Sequence, residues 1–279
     1  MIAALSMGAA LAAPAPASVH GWVAGSTSTG WADASTPSSG EGPRRQYSLL
    51  QMNLCLSGMA DCFDDTRYPK VVDEAVEVIE ATEPSAVSFN EACSADMDRI
   101  AQRTRYDMRF APVFFHGRPL SCTDPSGRGV FGNAVMTTEP IEQSTERAFA
   151  AQVGGQEQRG WICVETIREV DVCTTHLSTP DSDVARATNA RQWAEFAAVM
   201  ASRDAHGPVL AAGDMNSHHR CTPSGVWTRT DSLATQLPGI QHSYGSVEEF
   251  RHPHVEILPA TFTDHDFILT GATLSGHVT

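Results

Sequence analysis

Five short apolar segments of this chain each run into a polar side chain where a strand would meet a loop. "YSLLQMN" reaches Asn53, "SAVSFNE" reaches Glu91 and "VDVCTTH" reaches His176. "PVLAAGDMN" reaches Asp214 and Asn216, and "TDHDFIL" opens on Asp264 and His265. Alone, each is weak evidence, because Gly-Asp is commonly a turn and a single histidine is commonly a satisfied surface or core residue. Five coincident cases predict one functional rim assembled from several strand ends. Asp214 and Asn216 share strand parity, so both side chains point to the same side.

The stretches between these segments set the architecture. Val71, Val72, Ala75, Val76 and Ile79 have helical spacing that stops near Pro84, and "MDRIAQRTRY" predicts a second short helix. "DVARATNARQWAEFAAVMASR" reads as a longer amphipathic helix. "DMRFAPVFF" and "GNAVMTT" read as strands flanking a Gly/Pro-rich loop, and a hairpin turns around Arg168-Glu169 before "THLST". The order is strand, helix, strand, helix, several strands, helix, strand, loops, strand. It suits a mixed-sheet α/β chain of α+β type with helices outside, and the 279 residues suffice for one large core.

Residues 1–17 read as a signal peptide whose start is truncated, with Ala15-Pro16-Ala17 as the small-residue cleavage site. Residues 18–45, rich in Ser, Thr, Gly and Pro, read as a flexible arm, and 46–279 as the catalytic domain. The apolar run is too short to span a membrane, so a secreted, monomeric chain without a transmembrane segment is expected. Cysteine usage agrees with export. Cys163 and Cys173 face each other across a hairpin, Cys55 and Cys62 close a small loop, Cys93 with Cys122 is a further pairing, and Cys221 is left over. The net charge of −14, with Lys70 the single lysine, argues against broad DNA affinity unless arginines gather locally.

The ordered motifs resemble the endonuclease/exonuclease/phosphatase superfamily, the DNase I-like metallophosphoesterases, over roughly residues 46–275. "QMNL" resembles its first-strand asparagine motif, and "SAVSFNEAC" its glutamate motif with Asn90 in place of glutamine. "FGNAVMTTEPI" resembles its G-N-A strand, "THLST" its histidine motif, "PVLAAGDMNS" its GDxN motif and "TDHDFIL" its terminal SDH motif, with Thr263 for serine. The resemblance implies a four-layer sandwich of two packed mixed β-sheets flanked by helices. It also implies a metal-dependent phosphodiesterase.

Hard oxygen ligands suit Mg²⁺ or Mn²⁺, with Ca²⁺ an option as a structural ion. Glu91, helped by Asn53, is the expected metal anchor, with Asp264 a further ligand. His265 is the expected general base or its water partner, and His176 the donor to phosphate or the acid toward the leaving group. Asp214 would orient the nucleophile and Asn216 would hold a phosphoryl oxygen. Arg128 and Asn133 are the expected phosphate-binding residues. One departure stands out: the family's K/R-I-D-Y-like aspartate, which orients the final histidine, has no match near "HSYGSVEEF". Asp231, Glu248 or Glu249 could substitute for it.

Three other readings compete. Zinc at His218, His219 and Cys221 lacks metal-motif spacing, and calcium at "DMNSHH" lacks carboxylate density. A catalytically weakened secreted binding protein on the same fold is the alternative from another class. Among substrates, nucleic acid leads. A sphingomyelinase or phospholipase C-like activity on phospholipid head groups, or an inositol-phosphate phosphatase, is the alternative.

Overall fold

The structure, a computed structural model, describes residues 45–219 and 222–275. The expected signal peptide, residues 18–44 of the arm, and Cys221 lie outside the described residues. Strand β1 (Arg45–Asn53) starts one residue before the expected domain boundary, and its alternation shows how the layers arise. Leu50 and Met52 pack toward helices, whereas Tyr47 and Leu49 pack toward a second sheet. Burying each such side chain is worth about 1.5–3 kcal/mol.

The chain continues through α1 (Lys70–Thr82), β2 (Ala86–Cys93), α2 (Ser94–Thr104) and β3 (Asp107–Pro112). The short strands β4 (Phe114–Phe115) and β5 (Arg118–Pro119) precede β6 (Phe131–Thr137). Next come β7 (Ile141–Ala148), β8 (Gly160–Thr166), β9 (Asp171–His176), α3 (Asp183–Asp204) and β10 (Val209–Asp214). The last strands are β11 (Val226–Thr230), β12 (Gln241–Ser246), β13 (Phe250–Leu258) and β14 (Phe267–Leu274).

Two six-stranded mixed sheets result, ordered β13-β14-β1-β2-β6-β3 and β11-β12-β10-β9-β8-β7. The parallel pairs β1–β2 and β9–β10 are joined through α1 and α3, the long crossover that parallel strands require. Helices α1 and α2 cover the outer face of the first sheet, α3 covers the outer face of the second, and an apolar cluster fills the space between. The four-layer sandwich implied by the motifs is therefore the fold. No helix among the described residues is long and apolar enough to cross a membrane.

Three disulfides form as expected, Cys55–Cys62, Cys93–Cys122 and Cys163–Cys173, with Cα atoms 6.1, 6.2 and 4.0 Å apart. Two expectations need correction. The region from 226 to 258, expected as loops, holds β11, β12 and β13. Its strands escape an apolar pattern because β12 buries Gln241, His242 and Ser243, and β13 alternates around Arg251, His252 and His254. The second concerns α3, whose buried face is partly polar, with Thr188, Asn189 and Gln192 beside Ala185, Phe196 and Met200. Asn189 donates to Ser178 O (2.7 Å) and Met215 O (2.8 Å), and Gln192 accepts from the Ser178 N–H (2.9 Å). The helix thus clamps the loops that follow β9 and β10, and a wholly apolar face could not do so.

Candidate functional site

Parallel register sets Asn53 beside Asn90 at the ends of β1 and β2, and Asp214 beside His176 at the ends of β10 and β9. β14 runs antiparallel to β1, so the Asp264-His265 pair just before it arrives at the same rim. Asp214 is the hub. Its Oδ1 accepts from the Asn216 N–H (2.8 Å), and its Oδ2 accepts from Asn53 Nδ2 (3.1 Å). The same Oδ2 lies 3.2 Å from His265 Nε2 and 3.9 Å from His176 Nε2. Asn53 Nδ2 also donates to Glu91 Oε1 (3.0 Å), which lies 3.8 Å from His176 Nε2. Asp264 Oδ1 is 2.8 Å from His265 Nδ1. Seven side chains spread over 213 positions of sequence thus form one continuous group.

Local backbone geometry aims two of them. The register of β2 against β6 shifts between Phe89 and Ala92, and Glu91 within that bulge has φ 54°. Asn216 has φ 49°. A left-handed conformation is unfavourable for residues other than glycine, and such outliers concentrate where a side chain must be re-aimed.

Asn216 departs from its expected role. Its Nδ2 donates to Leu177 O (2.9 Å), a group that can only accept, so the amide orientation is fixed and the same nitrogen faces His176 Nε2 at 3.0 Å. Both amide hydrogens are committed, leaving none for a phosphoryl oxygen, and His176 Nε2 must accept. His176 is therefore neutral, with its proton on Nδ1. Burial, and then the Arg159 charge, push its pKa well below the ordinary histidine value in agreement. His265 behaves oppositely. Burial opposes its charge, but Asp214 and Asp264 outweigh that and raise its pKa to about 10. Burial also raises Glu91, with Asn53 and Arg159 working against it. Asp214 is held well below the usual carboxylate range: burial opposes this, and His265, His176 and the Asn216 N–H prevail.

Behind the rim lies a buried polar seam whose connections the motifs do not disclose. Asn90 Oδ1 accepts from the Asp214 N–H (2.7 Å) and from Gln51 Nε2 (2.8 Å), and Asn90 Nδ2 donates to Asn133 Oδ1 (3.0 Å). Asn90 therefore ties the two sheets together at the site. Gln241, opposite Asp214 in the β10–β12 register, faces Gln51 (3.3 Å) and donates to Asp266 O (2.7 Å). Asp231, one candidate for orienting the final histidine, instead accepts from the Gly239 and Gln241 N–H groups at 2.7 and 3.1 Å. Glu248 and Glu249 follow β12 at the end remote from Asp214. The carboxylates that contact His265 are Asp264 and Asp214.

Arg128 is not at the site. It is buried, its guanidinium bonded to Asp96 (3.2 Å), Cys93 Sγ (3.2 Å), Pro125 O (3.1 Å) and Asp124 O and stacked over Tyr68, so most of its donors are committed away from a phosphate. The arginine that does act on the site is Arg159, just before β8, whose charge bears on both Glu91 and His176. It is buried, and its Nε has no acceptor among the described residues. Arg159 lines a cavity of about 350 Å³ together with Asn133, Phe114, Arg147, Gln158 and Trp161. No apolar periodicity marks such a residue, so sequence reading passes over it.

The donor set suits a hard divalent cation. Among the described residues Glu91 has no cationic side chain in hydrogen-bonding contact, and burial disfavours its charge, a cost that an ion would offset. Asp264 supplies a second carboxylate at the same rim.

The sequence profile of the Endonuclease/Exonuclease/phosphatase family matches residues 60–273. No curated protein matches the chain. Among solved structures, the human Nocturnin catalytic domain with bound sulfate anion is similar at TM-score 0.62 and 16% identity, over 82% of this chain and 94% of that one. D. rerio TDP2 complexed with single strand DNA product is similar at TM-score 0.58 and 13% identity, over 83% and 99%. An endonuclease/exonuclease/phosphatase from Beutenbergia cavernae DSM 12333 is similar at TM-score 0.59 and 17% identity, over 83% and 72%.

Proposed function

The chain belongs to the endonuclease/exonuclease/phosphatase family, and from that premise we propose that it is an exported, metal-dependent phosphodiesterase acting on nucleic acid. The observation that carries this reading is the Asp214 carboxylate, held by Asn53 and Asn216 and flanked by Glu91, His176 and His265. Glu91 and Asp264 would hold Mg²⁺ or Mn²⁺, which when bound supplies Lewis-acid charge to the phosphoryl oxygens.

The remaining chemistry falls to the chain's own side chains. Asp214, ionised at neutral pH, orients the attacking water, whose proton passes to solvent as the bond to phosphorus forms. His265, an imidazolium between two carboxylates, donates from Nε2 to a phosphoryl oxygen as negative charge builds there. This reverses its expected role as base. His176 and Asn216 are positioning residues. A neutral His176 keeps a second cation away from His265, and Asn216 fixes its ring.

Substrate preference follows from the neighbouring cavity. Arg147 and the unsatisfied Nε of Arg159 suit an acceptor-rich group next to the reacting phosphate, with Glu146 also on the lining and Glu157 paired to Arg159 at 2.7 Å, and Phe114 offers a ring face for a base. The sulfate in Nocturnin and the DNA product in D. rerio TDP2 support the same preference. Three disulfides support export.

The test incubates the purified protein with plasmid DNA, sphingomyelin and inositol phosphates, with Mg²⁺ and then with EDTA. DNA cleavage that EDTA abolishes and His265→Ala removes is expected. Cleavage indifferent to the chelator would overturn the mechanism, and turnover of sphingomyelin or inositol phosphate alone would overturn the substrate.

A further inference from the structure

The Cys55–Cys62 disulfide lies within the outline of the site, yet the hydrolytic reading gives it no task. Cys55 follows Asn53 by two residues and donates its N–H to Asn53 Oδ1 (3.1 Å). Cys62 belongs to the 3-10 turn Asp61–Asp64, and its Sγ lies 3.7 Å from Glu91 Oε2. Both sulfurs and a carboxylate oxygen of Asp264 lie within 4.8 Å of one another. As a disulfide these sulfurs are uncharged and are poor partners for a hard cation. As thiolates they would be soft donors, set among carboxylates.

We propose that reduction of Cys55–Cys62 turns this corner into a zinc site, with the two thiolates and carboxylate oxygens of Asp264 and Glu91 as ligands. The bridge thereby keeps the oxidised site selective for hard ions. The zinc site stands without the hydrolytic reading; only the accompanying loss of hydrolysis rests on it, because Glu91 would be drawn away from its task.

The geometry is compatible with a tetrahedral ion. Zn–S bonds of about 2.3 Å place two sulfurs about 3.8 Å apart, close to the contact distance that unbonded sulfurs adopt anyway. The loop between the cysteines is anchored at Leu56 and Ser57 and exposes Met59 and Ala60, so the movement falls on its Cys62 end. A dithiol serves as reductant. One of its sulfurs attacks Cys62 Sγ and Cys55 leaves as thiolate. The second dithiol sulfur then displaces Cys62, so the reductant gains an internal disulfide and the two cysteines gain two electrons and two protons. Zn²⁺ binding releases those protons to solvent. Cys62 is half-buried at the rim, whereas its partner Cys55 and Cys93, Cys163 and Cys173 have no exposure and Cys122 has 3%, so Cys62 Sγ is the disulfide sulfur most open to attack.

The test uses the full chain carrying Cys221→Ser, reduced anaerobically with a dithiol and freed of excess reagent. Alkylation and mass spectrometry confirm which cysteines were reduced, and far-ultraviolet circular dichroism confirms the fold. Co²⁺ is the spectroscopic probe and Zn²⁺ the competitor. The expected result is one Co²⁺ per reduced chain with thiolate-to-cobalt charge-transfer absorption, displaced by one equivalent of Zn²⁺. Oxidised protein should lack this absorption, and Asp264→Asn should weaken Zn²⁺ binding about tenfold or more. In the reduced chain, one equivalent of Zn²⁺ should also stop Mg²⁺-supported hydrolysis. Absence of the sulfur absorption, its persistence in Cys62→Ser, or unfolding on reduction of this bridge would each overturn the proposal. Loss of hydrolysis without Co²⁺ binding would do so too. A chain that binds Co²⁺ through sulfur but never hydrolyses a phosphodiester would overturn only the functional reading.

Discussion

Two kinds of interior share the space between the sheets. Away from the rim it is apolar, with Leu49, Val135, Ile162, Val164, Val172 and Leu210 interdigitating. Toward the rim the same strands carry Gln51, Thr174 and Asp214, joined by Asn90 and Gln241. On β1 the change takes one step of the two-residue repeat, from Leu49 to Gln51, and on β9 one step from Val172 to Thr174. The apolar end holds the sheets together without specifying chemistry. The polar end pairs most of its buried groups with one another, and that network makes it rigid enough to position carboxylates and imidazoles.

Substitutions at the two ends should therefore fail in different ways. The largest effect is expected from His265→Ala at the polar end. Losing a charged donor to the phosphoryl group should lower kcat on a phosphodiester by about a thousandfold, while thermal denaturation shows a nearly unchanged fold. Activity within a factor of a few of wild type would remove His265 from the mechanism. At the apolar end, Leu210→Ala should do the opposite. It should lower unfolding free energy by about 2–5 kcal/mol in urea titrations and leave kcat of the folded fraction close to wild type. A large loss of kcat there would mean that the two interiors are mechanically coupled.

Asn90→Ala strikes the junction and should show both effects at reduced size. It strands the Asp214 N–H and Gln51 Nε2, costing about 1–3 kcal/mol, and loosens the support of Asp214, lowering kcat about tenfold or more. Stability and rate measured on the same preparation distinguish this from a purely structural loss, in which kcat would survive.

The same contrast explains what sequence can disclose. Asn53, Glu91, His176, Asp214 and His265 are legible because each adjoins an apolar segment, and an interrupted pattern is visible. The layers are legible for a related reason, since α1 and β1 bury one side at the helical and strand periods. The seam is not legible. Gln241, His242 and Ser243 are buried polar residues inside β12, so they weaken the very periodicity that would reveal that strand, and Gln51 gives no sign of its partner across the sheets. Arg128 misleads in the other direction. Its glycine-rich surroundings read as a phosphate loop, but its donors are absorbed by Asp96 and by two backbone carbonyls contributed from the Asp124–Pro125 turn. Sequence position conveys nothing about partners of that kind. The surroundings of the two histidines also lie beyond it, because they depend on which nitrogen faces Asn216 and on how many carboxylates flank His265.

The smallest expected effect is a pH dependence at the back of the seam. Burial raises the pKa of Asp231 to about 6, with Gln241 and backbone N–H groups opposing the rise. In the unfolded chain the group titrates near its ordinary value of 3.8. Between these values the native state binds more protons than the unfolded state, so this group's contribution to stability falls as pH rises. The contribution is complete below the unfolded value and is lost as pH rises through about 6. Asp231→Asn stays neutral throughout and keeps an oxygen for the Gly239 and Gln241 N–H groups. The stability of the variant relative to wild type should thus improve steadily from about pH 4 to about pH 7, and other titrating groups cancel in the difference. A flat difference across that window would mean that Asp231 is already ionised in the native seam. The polar end would then tolerate a buried charge that its hydrogen bonds alone stabilise.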